Sequence, residues 1–133
     1  MQIELKLRKA DLSKDLKQIN SWIKDWNMTA LPEWFYPEDV FIIDGVITAS
    51  YYKTNSKVAY IEQIVSNKHC PDDIRKEGIL LIGRHIFKKA KEDGFNIVLG
   101  WSRNKSIIKA GEEDGMYTTK HEYACIAKDL RGL

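Results

Sequence analysis

Apolar and charged residues alternate at the start of the chain. Ile3, Leu5 and Leu7 interleave with Glu4, Lys6 and Arg8, a period of two that predicts a half-buried β-strand. Asp11 follows in N-cap position, where a carboxylate accepts the free amide hydrogens of a first helical turn. Leu12, Leu16, Ile19 and Ile23 then recur at helical spacing, and Trp22 and Trp26 widen the stripe. That pattern predicts an amphipathic helix over 12–26. Pro32 and Pro37 bracket Trp34, Phe35 and Tyr36. Proline restricts its own φ and its predecessor, so 30–39 reads as a loop or a short broken helix. Its three aromatics either floor a substrate pocket or cap the edge of the core.

The middle of the chain reads as a β-meander. An apolar run at 40–43 ends at Asp44-Gly45, a two-residue hairpin signal because both positions take positive φ. Residues 46–52 return, 54–57 turn again, and 58–65 form another strand. An irregular link over 68–73, containing Pro71, leads into the longest predicted helix, 72–92. Ile74, Leu81, Ile82, Ile86, Phe87 and Ala90 supply its buried side, and Gly94 marks its end. The nearly all-apolar run 96–100 predicts a central strand covered on both faces. Residues 104–114 read as a helix stopped by Gly115, and 122–127 as a last strand. The order β-α-β-β-β-α-β-α-β calls for right-handed crossovers and places helices over the faces of a mixed sheet, an α/β (α+β) fold. No repeat or linker divides the 133 residues, so a single domain over 1–133 is expected, long enough to bury a real core.

Charge narrows the partners. The 21 basic and 19 acidic residues leave a net +2, and Lys88, Lys89 and Lys91 are offset at once by Glu92 and Asp93. No broad cationic field results, so neither nucleic acid nor a membrane surface is an expected partner. No apolar run approaches the roughly 20 residues of a membrane span, and residues 1–9 lack a signal-peptide core. A cytoplasmic location follows as the expectation, with Cys70 and Cys125 as free thiols. His69, His85 and His121 have no metal-ligand spacing, and no metal is expected. Serine-protease, Walker and zinc signatures are missing from the sequence.

The ordered set of elements resembles the GCN5-related N-acetyltransferase superfamily over essentially the whole chain. Arg8-Lys9-Ala10-Asp11 resembles its entry, and Tyr60-Ile61-Glu62-Gln63-Ile64-Val65 its fourth strand. Asn104-Lys105-Ser106-Ile107-Ile108 followed by Gly115-Met116 matches its spacing after the fifth strand. The resemblance implies a mostly antiparallel central sheet whose fourth and fifth strands splay to admit acetyl-CoA as co-substrate. It implies that backbone at Ile64, Val65 and Ser66 holds the pantetheine arm. The pyrophosphate would rest on a Gln/Arg-x-x-Gly-x-Gly/Ala loop at the N-terminus of the next helix, where amide hydrogens and the dipole attract anions. The matching segment is Arg75-Lys76-Glu77-Gly78-Ile79-Leu80, with Arg75, Lys76 and Gly78 as contacts. Leu80 departs from the pattern. Asp72 and Asp73 also allow a helix that starts early and puts carboxylates where phosphate belongs. In this altered loop the chain resembles compact, phage-encoded members of the superfamily.

The resemblance further implies acetyl transfer to a primary amine by direct attack in a ternary complex, the acceptor being a small molecule or a protein. Glu62 stands where such enzymes carry a carboxylate base, and its apolar neighbours would raise its pKa. A solvent-facing structural residue is the alternative. The usual tyrosine acid is replaced by Gly111, which leaves Tyr117 as the candidate and Tyr123 behind it. Asn104 either bonds the cofactor arm, caps its own helix, or does both. A non-catalytic protein-binding or acyl-CoA-binding module is the rival function. The oligomeric expectation is a monomer or homodimer.

Overall fold

A computed structural model describes residues 4–102, 104–119 and 127–132. The elements run β1 (Leu7–Lys9), α1 (Leu12–Asp25), a single 3-10 turn (Glu33–Phe35), β2 (Asp39–Ile43), β3 (Ile47–Tyr52), β4 (Val58–Ser66), α2 (Asp72–Glu92), β5 (Ile97–Leu99) and α3 (Lys105–Glu113). The described strands form one sheet in the order β1-β2-β3-β4-β5. The first three pairings are antiparallel, and β4 with β5 is parallel. The α/β expectation with a mostly antiparallel sheet is met through α3. The predicted last strand, with Tyr123 and Cys125, lies outside the described residues apart from Ala127.

Strand alternation divides the core between two faces. On one face Ile43, Ile47, Ala49, Tyr51, Ala59 and Ile61 pack against Ile82, Ile86 and Ala90 of α2. On the other, Val40, Ile42 and Val65 pack against Ile19, Trp22 and Ile23 of α1, with Tyr36 joining them. Asp11 caps α1 by accepting from the Ser13 amide at 3.1 Å. Arg8 clamps three elements together: its guanidinium donates twice to Asp15 at 2.8 Å and reaches Asp44 at 2.7 and 3.0 Å.

Several sequence expectations are corrected. The β2–β3 connection has three residues, Asp44, Gly45 and Val46, and only Gly45 takes positive φ, at 75°. The Ile43↔Ile47 pair closes it, so Val46 belongs to the turn and packs into the core. Leu5 lies outside β1 and packs on the α2 face. Leu81 is exposed because α2 buries its 78-82-86-90 row against the sheet, and Leu81 falls off that row. Among the described residues β5 has one strand neighbour, β4, and Ile97 and Leu99 remain 37% exposed, so it is not the doubly covered strand its apolar run suggests.

Two glycines of α2 do opposite jobs. A Cβ on Gly78 would sit 2.7 Å from Val46 Cγ1, whereas one on Gly83 would meet nothing nearer than Phe87 at 4.0 Å. Gly78 sets how closely the helix approaches the β2–β3 end of the sheet. Gly83→Ala is expected to stabilise the protein by about 0.5–1 kcal/mol, the helix-propensity gain. Gly78→Ala is expected to cost about 1–3 kcal/mol through overpacking. Urea midpoints of the two variants check the opposite signs.

Candidate functional site

The site begins at an irregularity in β4. Ser50 pairs with Glu62 and Thr48 with Val65, so two residues of β4, Gln63 and Ile64, stand opposite Ala49 alone. That is a β-bulge, and Gln63 takes φ 45° to make it. The left-handed region is costly for a residue with a Cβ, about 1–2 kcal/mol. The Gln63 side chain is fixed by Tyr52, whose hydroxyl lies 2.7 Å from Oε1 and 3.1 Å from the Phe35 carbonyl.

Pairing between β4 and β5 ends at the same place. It spans Val58↔Ile97, Ala59↔Val98 and Tyr60↔Leu99 and goes no further. Gly100 makes the last close approach: a Cβ there would be 3.0 Å from the Ile61 carbonyl oxygen. Beyond it β4 continues to Ser66 while the chain after β5 turns toward α3. The wedge between them is an apolar cleft of about 130 Å³. Ile61 and Ile64 of β4, Ile79 and Gly83 of α2, and Ile107 and Gly111 of α3 line it, with Tyr117 alongside. Two ion pairs brace the α2 and α3 walls, Lys76 to Glu113 at 3.6 Å and Arg84 to Asp114 at 2.8 Å.

Glu62 is on the opposite face. Ile61 belongs to the core under α2, so its neighbour Glu62 points to the α1 side. There it is half-buried beside Tyr52, and burial pushes its carboxyl above the usual range. Tyr60, two residues back on the same face, stacks on Trp101 with ring centroids 5.5 Å apart. One sheet therefore carries a desolvated carboxylate on one face and an apolar cleft on the other, joined by the gap between two strands.

The remaining expected site residues are scattered. Ile64 and Tyr117 line the cleft, the latter 82% exposed. Val65 is turned under α1, and the Ser66 carbonyl accepts from Trp26 Nε1 at 2.8 Å. Asn104 caps α3, its Oδ1 accepting from the Ser106 and Ile107 amides at 2.9 and 3.3 Å. Arg75, Lys76 and Gly78 lie inside α2, which starts at Asp72, so the expected anion loop is helix. The Arg75 amide donates to the Pro71 carbonyl at 3.0 Å. Those residues do not fit a pyrophosphate cradle, although the cleft fits the acyl end of a thioester. Ile79, Gly83, Ile107 and Gly111 as an ensemble were missed. The signal was a second α2 row, 79-83-87, beside the sheet-facing one. Among the described residues no group of His, Cys, Asp or Glu forms a metal site. Burial raises the Cys70 thiol, the reverse of an activated nucleophile.

No family model matches the chain, and comparison with curated proteins finds none similar. Solved structures do match. Glucosamine-6-phosphate N-acetyltransferase from Arabidopsis thaliana superposes with TM-score 0.67 at 13% identity, over 95% of this chain and 100% of its own. The fold is that of the GCN5-related N-acetyltransferases. The same acetyltransferase fold occurs in N-acetylglutamate synthase from Neisseria gonorrhoeae, solved with coenzyme A and L-arginine. It matches with TM-score 0.62 at 20% identity over 86% of this chain and 29% of that longer one. A transcriptional regulator from Bacillus halodurans C-125 matches with TM-score 0.65 at 15% identity, over 94% and 100%. At such identities the likeness establishes the fold, and activity is a separate question.

Two predictions test this geometry. Gln63→Gly is expected to stay within about 1 kcal/mol of the natural chain, since glycine takes positive φ freely. Gln63→Val is expected to lose about 2 kcal/mol or more, as read by denaturant unfolding. The Glu62 carboxyl binds its proton more tightly folded than unfolded, so it lowers stability as pH rises through its folded-state value. Glu62→Gln should thus gain stability over the natural chain near neutral pH and match it below about pH 4. An advantage that grows on acidification would contradict the burial of the carboxylate.

Proposed function

We propose that the protein is an N-acetyltransferase that moves an acetyl group from acetyl-CoA to a primary amine, by direct attack in a ternary complex. The observation that carries the reading is the separation of β4 from β5 after Tyr60 and Leu99, with the apolar cleft behind it and Glu62 on the far side. In this reading the two substrates arrive from opposite faces and meet in the gap.

Bound in the cleft, acetyl-CoA supplies an acyl group already activated as a thioester. Ile61, Ile64, Ile79 and Ile107 exclude water from it, which strengthens local electrostatics and prevents hydrolysis. Glu62 takes a proton from the incoming ammonium. Its raised pKa makes it a better base than an exposed carboxylate, whose value lies too far below neutrality. The amine nitrogen then forms its bond to the acetyl carbon while the carbon–sulfur bond breaks, and the nitrogen gives up its second proton to solvent to leave the neutral amide. Tyr117, at the cleft, or solvent returns a proton to the departing thiolate. Tyr60 forms a wall on the acceptor side, and Trp101, stacked on it, also borders the cleft.

The competing reading is a non-catalytic module that binds a protein or an acyl-CoA. It is favoured by the helical course of residues 75–80 and by Gly111 at the usual tyrosine position. Acetyl-CoA near millimolar is expected to raise the melting temperature, by an amount equivalent to about 2.7 kcal/mol at 100-fold saturation. A scan of amine acceptors should reveal turnover that Glu62→Gln lowers by about 10²–10⁴-fold, with the donor KM unchanged. Absence of a thermal response to the donor would overturn the transferase reading. A response without turnover, or turnover indifferent to Glu62→Gln, would favour the binding module.

A further inference from the structure

The donor site is built for one end of its ligand only. The cleft of about 130 Å³ is well below the roughly 300–1,000 Å³ of sites that enclose a drug-sized ligand, so it holds an acyl group and the adjoining thioester sulfur. The nucleotide end would lie toward the start of α2. There, the backbone from Arg75 onward is committed to helical hydrogen bonding, beginning with the Arg75 amide on the Pro71 carbonyl at 3.0 Å. The first two helical residues are Asp72 and Asp73, which put two carboxylates beside the amides an anion would need.

Among the described residues of this stretch, every basic side chain but Lys68 is already held by a carboxylate. Between residues 67 and 80 the basic side chains are Lys68, His69, Arg75 and Lys76. Lys68 sits over the Trp26 ring at 5.3 Å, and His69 lies 3.5 Å from Asp25. Arg75 is paired with Asp72 and lies against Trp26, its Nε buried without a partner and shut off from solvent. Lys76 is held by Glu113 at 3.6 Å. Gly78, which the anion loop would use for close approach of a phosphate, is spent on packing against Val46 and Ile47.

We propose that this chain recognises its acyl donor through the thioester and pantetheine arm, without a pyrophosphate contact, and so accepts phosphate-free acyl-pantetheine thioesters about as well as acetyl-CoA. The inference rests on the transferase reading and adds the donor class to it.

Titration calorimetry with acetyl-CoA and with S-acetylpantetheine, each at low and high salt, tests it. The two dissociation constants are expected to agree within about threefold, and added salt should not weaken acetyl-CoA relative to S-acetylpantetheine. A pyrophosphate held by even two charge-assisted hydrogen bonds would separate them by about 100-fold or more. The double variant Asp72→Asn/Asp73→Asn should tighten acetyl-CoA about fivefold or more and leave S-acetylpantetheine unchanged. Acetyl-CoA binding 30-fold or more tighter than S-acetylpantetheine in the natural chain would overturn the inference and leave the transferase reading standing. Failure of both compounds to bind would overturn the two together. Should the double variant not fold, the comparison in the natural chain decides alone.

Discussion

The bulge at Gln63 and Ile64 is the constraint on which the candidate site depends. A strand that kept regular pleating would present its next residues to β5 in register, and parallel pairing would continue past Tyr60. Two residues opposite one bend the strand and change its twist, so β4 leaves β5 after three pairs. The cost is a left-handed conformation at a residue with a Cβ, held by tertiary contact with Tyr52. Strain of this kind persists only where its surroundings over-determine it. Here those surroundings are the paired strands β3 and β4.

The opening has chemical consequences because of which side chains border it. Strict alternation sends Ile61 to the α2 face and Glu62 to the α1 face. The bulge then shifts the alternation, so Ile64 returns to the α2 face and Val65 goes under α1. The cleft consequently has apolar strand residues along one wall, with the carboxylate kept out of it. Had the strand run without a bulge, Ile64 would have fallen on Glu62's face. Burial, not a neighbouring charge, is what raises the Glu62 carboxyl, which ties its chemistry directly to the packing around Tyr52 and Ser50.

Helix α2 serves two surfaces at once. One row, Gly78, Ile82, Ile86 and Ala90, lies on the sheet. The adjacent row, Ile79, Gly83 and Phe87, faces the cleft and α3. Charged residues complete the arrangement, since Lys76 and Arg84 bind Glu113 and Asp114 across the interhelical boundary. Partly exposed ion pairs contribute little to stability singly, but these two fix the orientation of a short helix. The same commitment of Arg75 and Lys76 to local partners leaves the start of α2 without the electrostatics of an anion site.

Much of the fold was legible in the sequence because local signals agreed with one another. Helical spacing at Leu12, Leu16, Ile19 and Ile23, an N-cap at Asp11 and a glycine after each of the later helices bound their elements within a residue or two. Short-range chemistry also set the cap at Asn104 and the start of α2 at Asp72. Other features depended on contacts between residues distant in the chain. The turn at Asp44-Gly45 took three residues because Ile43 had to pair with Ile47, and the partial exposure of Ile97 and Leu99 on β5 depended on which elements pack over them. Glu62 could be named from sequence, but its burial and its face could not, since a bulge moves every following side chain across the sheet without any local signature in Gln63. The residue pattern by itself determined which segments fold as strand or helix. The tertiary structure alone decided where two of those strands part, because that depends on a cross-strand register set by residues far from the gap.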